Sequence, residues 1–352
     1  MTPSGRPLKV AIASFAHVHA SAYIRALQKM NGVELLASDP DHKSAPTREL
    51  RGRAFARRNG VEYAETYEDL FAWEPDAVII TSENSRHREL VERAAHAGVH
   101  ILCEKPLATE VADGEAMIAA CERAGSILML AYPVRFSPAF RELKQLVDSG
   151  SLGIPLSVSG TNNGKVPLDS REWFVDPVAA GGGALVDHVV HCADLIDVLT
   201  EGEPAVKVYA VANQVLHADK RVAVETGGLV SIEYGSGLVA SIDCSWSEPD
   251  TAPTWGGLTF QVTGSHGSAE IAPFASHVGG SGPDGQIYLG IGADLDELLL
   301  RTFLDAVRHS GKPTPGIRPS MIPQPDGLSG LRTLKIMDAA RVSAQHGEPA
   351  TV

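Results

Sequence analysis

The run Gly181-Gly182-Gly183-Ala184-Leu185-Val186-Asp187-His188-Val189-Val190-His191 joins a bend in the chain to acid–base side chains. Glycines permit tight backbone bending ahead of a helix. On such a helix Asp187 and His191 stand four residues apart and share one face. A carboxylate beside an imidazole raises its basicity and fixes its orientation. A histidine held in that way suits accepting the proton of an alcohol as hydride leaves its carbon. His188, about a quarter-turn further round, can reach the rim of the same cleft. The competing account is a plain helix with two polar residues behind a glycine turn.

Glu104-Lys105-Pro106 follows an apolar run, Val99–Cys103. Residues just past the carboxyl end of a strand in an open α/β sheet face the ligand crevice. A lysine there can polarise a substrate oxygen or hold a nicotinamide ribose; a surface Lys-Pro turn is the alternative. Nearer the start, Ala13–His19 occupies the strand-to-helix turn where backbone N–H groups and a helix N-terminus can receive pyrophosphate. The glycines of G-x-G-x-x-G are absent. The loop is Ser14, Phe15, Ala16 and His17, and the small Ala13, Ser14 and Ala16 would let backbone approach a phosphate. A βαβ unit without cofactor explains this segment equally well. Asp39 closes the second apolar run, where a carboxylate accepts hydrogen bonds from ribose hydroxyls and repels a 2′-phosphate, favouring NAD over NADP. A solvated turn in Asp39-Pro40-Asp41 is the other reading. His17, His19, His188 and His191 with Asp187 are also metal-ligand types; hydride transfer to a nicotinamide needs no metal, and none is expected. No G-x-S-x-G elbow of a serine hydrolase occurs.

Positioning these groups requires alternating elements. Buried strands are expected at 8–14, 33–38, 76–81, 99–103 and 127–131, with helices at 19–30, 45–59, 86–97 and 109–124. This predicts a doubly wound parallel sheet. Beyond residue 131 the pattern turns to β-like alternation at 206–211, 228–234, 238–246 and 258–263, followed by amphipathic helices at 295–310 and 327–345. The Gly-, Ser- and Pro-rich stretch 274–290 reads as a loop. The expected class is α/β: an N-terminal Rossmann domain over residues 1–131, and a C-terminal α+β domain over 132–352 with a large, mostly antiparallel sheet, its last helices able to pack back on the first domain. Loops at 160–173 and 246–255 are expected to contact substrate.

The length of 352 residues exceeds what one core usually holds. A net charge of −13 repels phosphate backbones and argues against nucleic acid as a partner. No run of apolar residues is long enough to span a membrane, and Met1–Lys9 lacks the apolar core of a signal peptide. Cys103, Cys121, Cys192 and Cys244 are scattered without a C-x-x-C pair and read as buried thiols in a reducing compartment, most simply the cytoplasm.

Two long segments resemble the glucose–fructose oxidoreductase / inositol dehydrogenase / MocA (Gfo/Idh/MocA) family: Ala97-Gly98-Val99-His100-Ile101-Leu102-Cys103-Glu104-Lys105-Pro106-Leu107-Ala108, and Gly181–His191 against the pattern G-G-G-x-L-x-D-x-x-x-H. Ser82-Glu83-Asn84-Ser85-Arg86-His87 is similar to that family's T-P-N-x-x-H loop. Arg135–Pro138, Ser149–Gly153, Trp173-Phe174 and Gly264–Ser268 add shorter matches. The phosphate loop departs from the pattern: it lacks the family's glycines and is shorter. The resemblance implies an NAD- or NADP-dependent oxidoreductase moving a hydride to or from a sugar, cyclitol or related polyol. Lys105 would hold the reacting oxygen and the ribose, with His191 as acid/base and Asp187 its partner. Ser14, Phe15, Ala16, His17, Asp39, Ser82, Asn84, His87, Glu104, Lys105 and Pro106 would line the cofactor, and Lys105, Trp173, His188 and His191 the carbohydrate-like substrate. The second domain's sheet would join a homodimer or homotetramer. An NAD-dependent glycoside-cleaving enzyme and a ligand-binding or regulatory protein without turnover fit the same motifs.

Overall fold

Runs such as Leu8-Lys9-Val10-Ala11-Ile12-Ala13 and Ala77-Val78-Ile79-Ile80 are apolar on both faces, as strands buried between helix layers must be. The computed structural model describes residues 6–352 except Ser170, Arg221 and Asp284; Met1–Gly5 of the polar start lie outside the described residues. The first sheet contains β1 (Leu8–Ala13), β2 (Val33–Ser38), β3 (Glu62–Ala64), β4 (Ala77–Ile80), β5 (His100–Cys103) and β6 (Leu128–Leu130), all parallel, in the order β3-β2-β1-β4-β5-β6. Between them run α1 (Ala20–Gln28), α2 (Gly52–Asn59), α3 (Tyr67–Ala72), α4 (His87–His96) and α5 (Val111–Ala124). The strand order reverses between β1 and β4, so the crevice opens beyond their carboxyl ends.

The helix expected over 45–59 is half as long. A 3₁₀ turn spans Pro40–Ser44 and α2 begins only at Gly52, because the Asp39 carboxylate binds the Gly52 N–H at 2.9 Å and starts the helix there.

The second sheet follows α6 (Pro138–Asp148). It comprises β7 (Pro155–Gly164), β8 (Ala205–Asn213), β9 (Gly227–Tyr234), β10 (Val239–Ser245), β11 (Gly256–Gly264), β12 (Gly267–Ile271) and β15 (Ala350–Thr351), in the order β12-β11-β7-β10-β9-β8-β15. Only the β7–β10 pair is parallel. Stretch 274–290 is not a loop: β13 (His277–Gly282) and β14 (Gly285–Gly290) form an antiparallel hairpin. A ladder of backbone hydrogen bonds needs no apolar alternation, which is why the composition concealed it.

Between the sheets lie α8 (Ala184–Leu199) and α10 (Gly327–His346), with α9 (Leu295–Ser310) on the far side; the short α7 (Pro177–Ala180) packs beside the loop after β1. Helix α8 is apolar almost all round because it joins two cores. Val186 and Val190 pack with β4, β5 and α5; Leu185, Val189, Cys192 and Ile196 pack under the second sheet. Its polar residues Asp187, His188 and His191 therefore emerge at the seam. Leu299, Leu300, Phe303 and Leu304 of α9 pack with Val10, Ile12 and α1, so a late helix completes one face of the first sheet. All four cysteines are buried free thiols. Among the described residues no helix is long and apolar enough to cross a membrane.

Candidate active site

Lys105 leaves β5 and Asp187 stands in the first turn of α8. They meet at the seam, Lys105 Nζ donating to Asp187 Oδ1 at 2.6 Å and to its carbonyl at 3.1 Å. Trp246 donates from Nε1 to Asp187 Oδ2 at 3.2 Å. Lys105 and Asp187 are 5% and 7% exposed. Burial alone would raise the carboxyl's pKa, but Lys105 and His188 hold it well below the usual carboxylate range. The helix N-terminus favours the same charge. The i,i+4 spacing does not produce an Asp187–His191 pair: Lys105 enters from β5 and takes one carboxylate oxygen, and Trp246 the other.

His191 is half-buried in the wall of a cavity of about 830 Å³, which Lys105, Asp187, His19 and Trp255 also line. Its Nδ1 has no hydrogen-bond partner. Burial and the nearby positive charge of Lys105 push its pKa well below the ordinary histidine value, so the ring is a neutral base near neutral pH.

Two residues expected on the substrate sit elsewhere. His188 is fully buried behind the cavity wall, its Nδ1 against Asn162 Oδ1 at 2.7 Å and its ring stacked on Trp255 at 5.2 Å. Asn162 and Trp255 carry the cavity face in its place. Trp173 lies on the phosphate loop, donating from Nε1 to the Ala16 carbonyl at 3.0 Å. Phe174, stacked on it at 3.9 Å, faces the cavity. In that stack the Trp173 ring lies on the loop side and the Phe174 ring on the cavity side.

The loop after β1 turns at Ser14, which takes φ +71°, a conformation usually left to glycine. Several loop N–H groups bond inward: Ala16 to Ser14 Oγ at 3.2 Å, His17 to the Thr81 carbonyl at 2.8 Å, and His19 to His17 Nδ1 at 3.3 Å. The Phe15 ring stacks on Phe55 at 4.4 Å. Asp39 is fully buried; Arg51 donates to Oδ2 from Nε at 2.9 Å and to Oδ1 from a terminal nitrogen at 2.7 Å. The turn Glu172–Val175 covers the loop, so the end of the groove expected to receive adenosine and pyrophosphate is closed in this conformation. The Asp39 carboxylate is thus committed to Arg51, not left to ribose hydroxyls. The sequence hid this because an arginine in a polar stretch reads as solvated.

The other end of the groove is unsatisfied. Asn84 donates to the Ala180 carbonyl at 2.9 Å, leaving Oδ1 without a partner. His87 Nδ1 binds the Pro106 carbonyl at 2.9 Å, leaving Nε2 unpartnered. Both atoms are acceptors of the kind a carboxamide N–H₂ or a ribose hydroxyl would fill. Ser82 is buried beside them.

Glu104, expected on the cofactor, faces away from Lys105, as neighbours at a strand end do. Its Oε1 accepts from the Tyr23 hydroxyl at 2.7 Å and lies 2.9 Å from His19 Nδ1 and 3.6 Å from His17 Nδ1. Despite full burial, His17 and His19 hold this carboxyl well below its usual range. Tyr23 and Arg51 escaped the sequence reading, and no local pattern distinguishes them; Asn162 and Trp246 fall within the stretches 160–173 and 246–255, although Asn162 stands on β7 and not on a loop.

The buried imidazoles set a pH dependence. Burial pushes His17 down to about 3 and His188 to about 4, against an unfolded value near ~6.5. A depressed folded pKa gives stability that is full above the unfolded value and lost as pH falls towards the folded one. Urea midpoints should therefore drop from pH 7 to pH 5, each such histidine contributing roughly 1.4 kcal/mol per pH unit below ~6.5. His19, whose pKa is raised by Glu104 against the effect of burial, works the other way. Equal midpoints at pH 7 and pH 5 would contradict this account.

Comparison with known proteins places these features. Residues 9–132 match the model of the "Oxidoreductase family, NAD-binding Rossmann fold", and residues 140–270 the "GFO/IDH/MocA C-terminal domain". The 1,5-anhydro-D-fructose reductase of Ensifer adhaerens is 30% identical over 220 residues, 62% of this chain and 64% of that protein, so the match spans less than two thirds of the relative. The D-apiose dehydrogenase of Paraburkholderia graminis is 25% identical over 348 residues, covering 92% and 84% of the two chains. The crystal structure of GenD2 from gentamicin A biosynthesis, in complex with NAD, has the same fold, with a TM-score of 0.80 at 21% identity over 100% of this chain and 99% of that one.

Proposed function

The chain belongs to the GFO/IDH/MocA family of oxidoreductases, and we propose that it transfers a hydride between a nicotinamide cofactor and a secondary alcohol of a sugar, cyclitol or related polyol, with Lys105, Asp187 and His191 as the working set. The observation that carries this reading is the convergence of Lys105, from the first sheet, with Asp187 and His191, from α8, on one cavity wall. The relatives named as a fructose-derivative reductase and an apiose dehydrogenase support the substrate class.

Bound nicotinamide supplies the hydride acceptor or donor. Lys105 has three N–H groups; two are spent on Asp187 Oδ1 and the Asp187 carbonyl, leaving a third for the reacting oxygen. Asp187 keeps the ammonium aimed. His191, neutral and with an unpartnered ring nitrogen, takes the hydroxyl proton. The unpartnered Asn84 and His87 acceptors suit the nicotinamide end, and the turn Glu172–Val175 has to lift from the phosphate loop for the rest of the dinucleotide to seat.

NAD is the favoured cofactor. Arg51, the cation nearest Asp39, is held by that carboxylate and by Glu83 at 3.3 Å and is not free for a 2′-phosphate. The outward face of the second sheet carries Leu156, Val206, Tyr209, Val211, Leu229 and Val239, all exposed, and would form the contact of a homodimer or homotetramer. The test is a fluorescence titration with NADH and NADPH, followed by reduction of NAD⁺ with a panel of aldoses, cyclitols and polyols. Tighter NADH binding and net NADH formation with one substrate class are expected; failure of both dinucleotides to bind would overturn the proposal. Product release from a glycoside without net NADH would replace it with oxidation–elimination chemistry.

A further inference from the structure

The first turn of the chain after β1 brings two histidines to a buried carboxylate. His17 and His19 stand two apart, with ring centroids 4.5 Å apart. Between them lies Glu104, and one ring nitrogen from each histidine and a carboxylate oxygen all fall within 4.8 Å of one another. Hydrogen bonding accounts for part of this cluster but not for the second ring nitrogen of His17, Nε2. That side chain is 2% exposed, its Nδ1 accepts from the His19 N–H, and its Nε2 has no partner. His19 is about a third exposed, and both histidines line the large cavity. Asp296, in the first turn of α9, lines the same cavity and acts electrostatically on His19 and Glu104.

We propose that His17, His19 and Glu104 form a binding site for a divalent transition-metal ion that opens onto the substrate cavity. Two imidazoles and one carboxylate are the donor set of zinc-class ions, whereas magnesium and calcium prefer all-oxygen ligands. Ligands about 2.1 Å from a tetrahedral ion lie about 3.4 Å apart. The 3.6 Å separation of His17 Nδ1 and Glu104 Oε1 matches that spacing, the ion displacing the His19 N–H from Nδ1, and the 2.9 Å contact of His19 Nδ1 opens slightly once the ion replaces that hydrogen bond. Three protein ligands leave a coordination position facing the cavity, the arrangement of a working site rather than a closed structural one. An ion there would offer that position to an oxygen of the molecule in the cavity. The loop that receives pyrophosphate in glycine-rich Rossmann domains would then carry a metal beside it, and this inference stands whether or not the dinucleotide reading holds.

The test uses the full chain without an affinity tag. Elemental analysis after purification without chelators is expected to find close to one equivalent of a transition metal. After stripping with a chelator, calorimetric titration with Zn²⁺ and Co²⁺ should recover one site, Co²⁺ giving visible absorption bands of low-symmetry nitrogen–oxygen coordination. His17→Gln and Glu104→Gln should each weaken Zn²⁺ binding by at least about 100-fold, beyond the loss typical of an outer-sphere partner, with far-ultraviolet circular dichroism checking that each variant is folded. A stripped wild-type protein that takes up neither ion would overturn the proposal without reference to any variant. Unchanged affinity in folded His17→Gln would overturn it as well, since the ion would then lie elsewhere.

Discussion

His191→Ala is expected to lower turnover by roughly 10²–10⁴-fold while leaving NADH affinity nearly unchanged, because a positioned general base contributes about that factor. The ring is the neutral, half-buried base in the cavity wall, with Nδ1 unpartnered. Burial and Lys105 depress its pKa, so in the wild type oxidation should persist at pH values below ~6.5, where an ordinary histidine would be protonated and inactive as a base. Asp187→Asn should also slow the reaction, by a different route: Lys105 loses the negative charge of its 2.6 Å partner and holds its N–H less firmly on the substrate oxygen. Steady-state kinetics with the substrate found by screening separate the two, since only the His191 variant loses the base. Wild-type turnover in His191→Ala would mean that another group takes the proton.

Asp39→Ala is expected to be the most destabilising change at the nucleotide end. It strands Arg51 in a site where the arginine is 6% exposed, with Glu83 and the Ser14 hydroxyl as its remaining side-chain hydrogen-bond partners among the described residues. Removing one partner of a buried pair costs about 3–5 kcal/mol. The Gly52 N–H at the start of α2 loses its acceptor too. Asp39→Ala/Arg51→Leu should recover most of the loss, because no charge is then left unpaired. Urea denaturation measures both. Arg51 released from Asp39 should also narrow the preference for NADH over NADPH. If Asp39→Ala is as stable as wild type, the Asp39–Arg51 pair does not hold this end of the groove together.

The motifs at 97–108 and 181–191 were legible because their chemistry is local. The strand carrying Lys105 is a buried apolar run, and the helix carrying Asp187 and His191 follows a glycine turn that no other residue type tolerates as well. At Gly181, for example, φ is +82° and a Cβ would stand 2.8 Å from the Thr109 side chain. The Gly-rich hairpin at 277–290 was not legible, since its order lies mainly in backbone pairing, with one cross-strand ring stack of His277 on Tyr288. The partners of Asp187 were hidden for another reason: the spacing that puts His191 on its face says nothing about a lysine 82 positions away.

From the order of its residues alone, this protein could be read as two sheets of different kinds, with chemistry at the end of β5 and the start of α8. Those features depend on periodicity, chain breaks and residue type, which are properties of short segments. Only the tertiary structure decided that Asp187 binds Lys105 and Trp246, that Asp39 is taken by Arg51, that Trp173 covers the phosphate loop, and that Glu104 turns towards His17 and His19. Each is a competition among several donors for one buried carboxylate or carbonyl. Such a competition is settled by which side chains arrive within about 3 Å of it, and that distance exists only once the two sheets and α8 have packed.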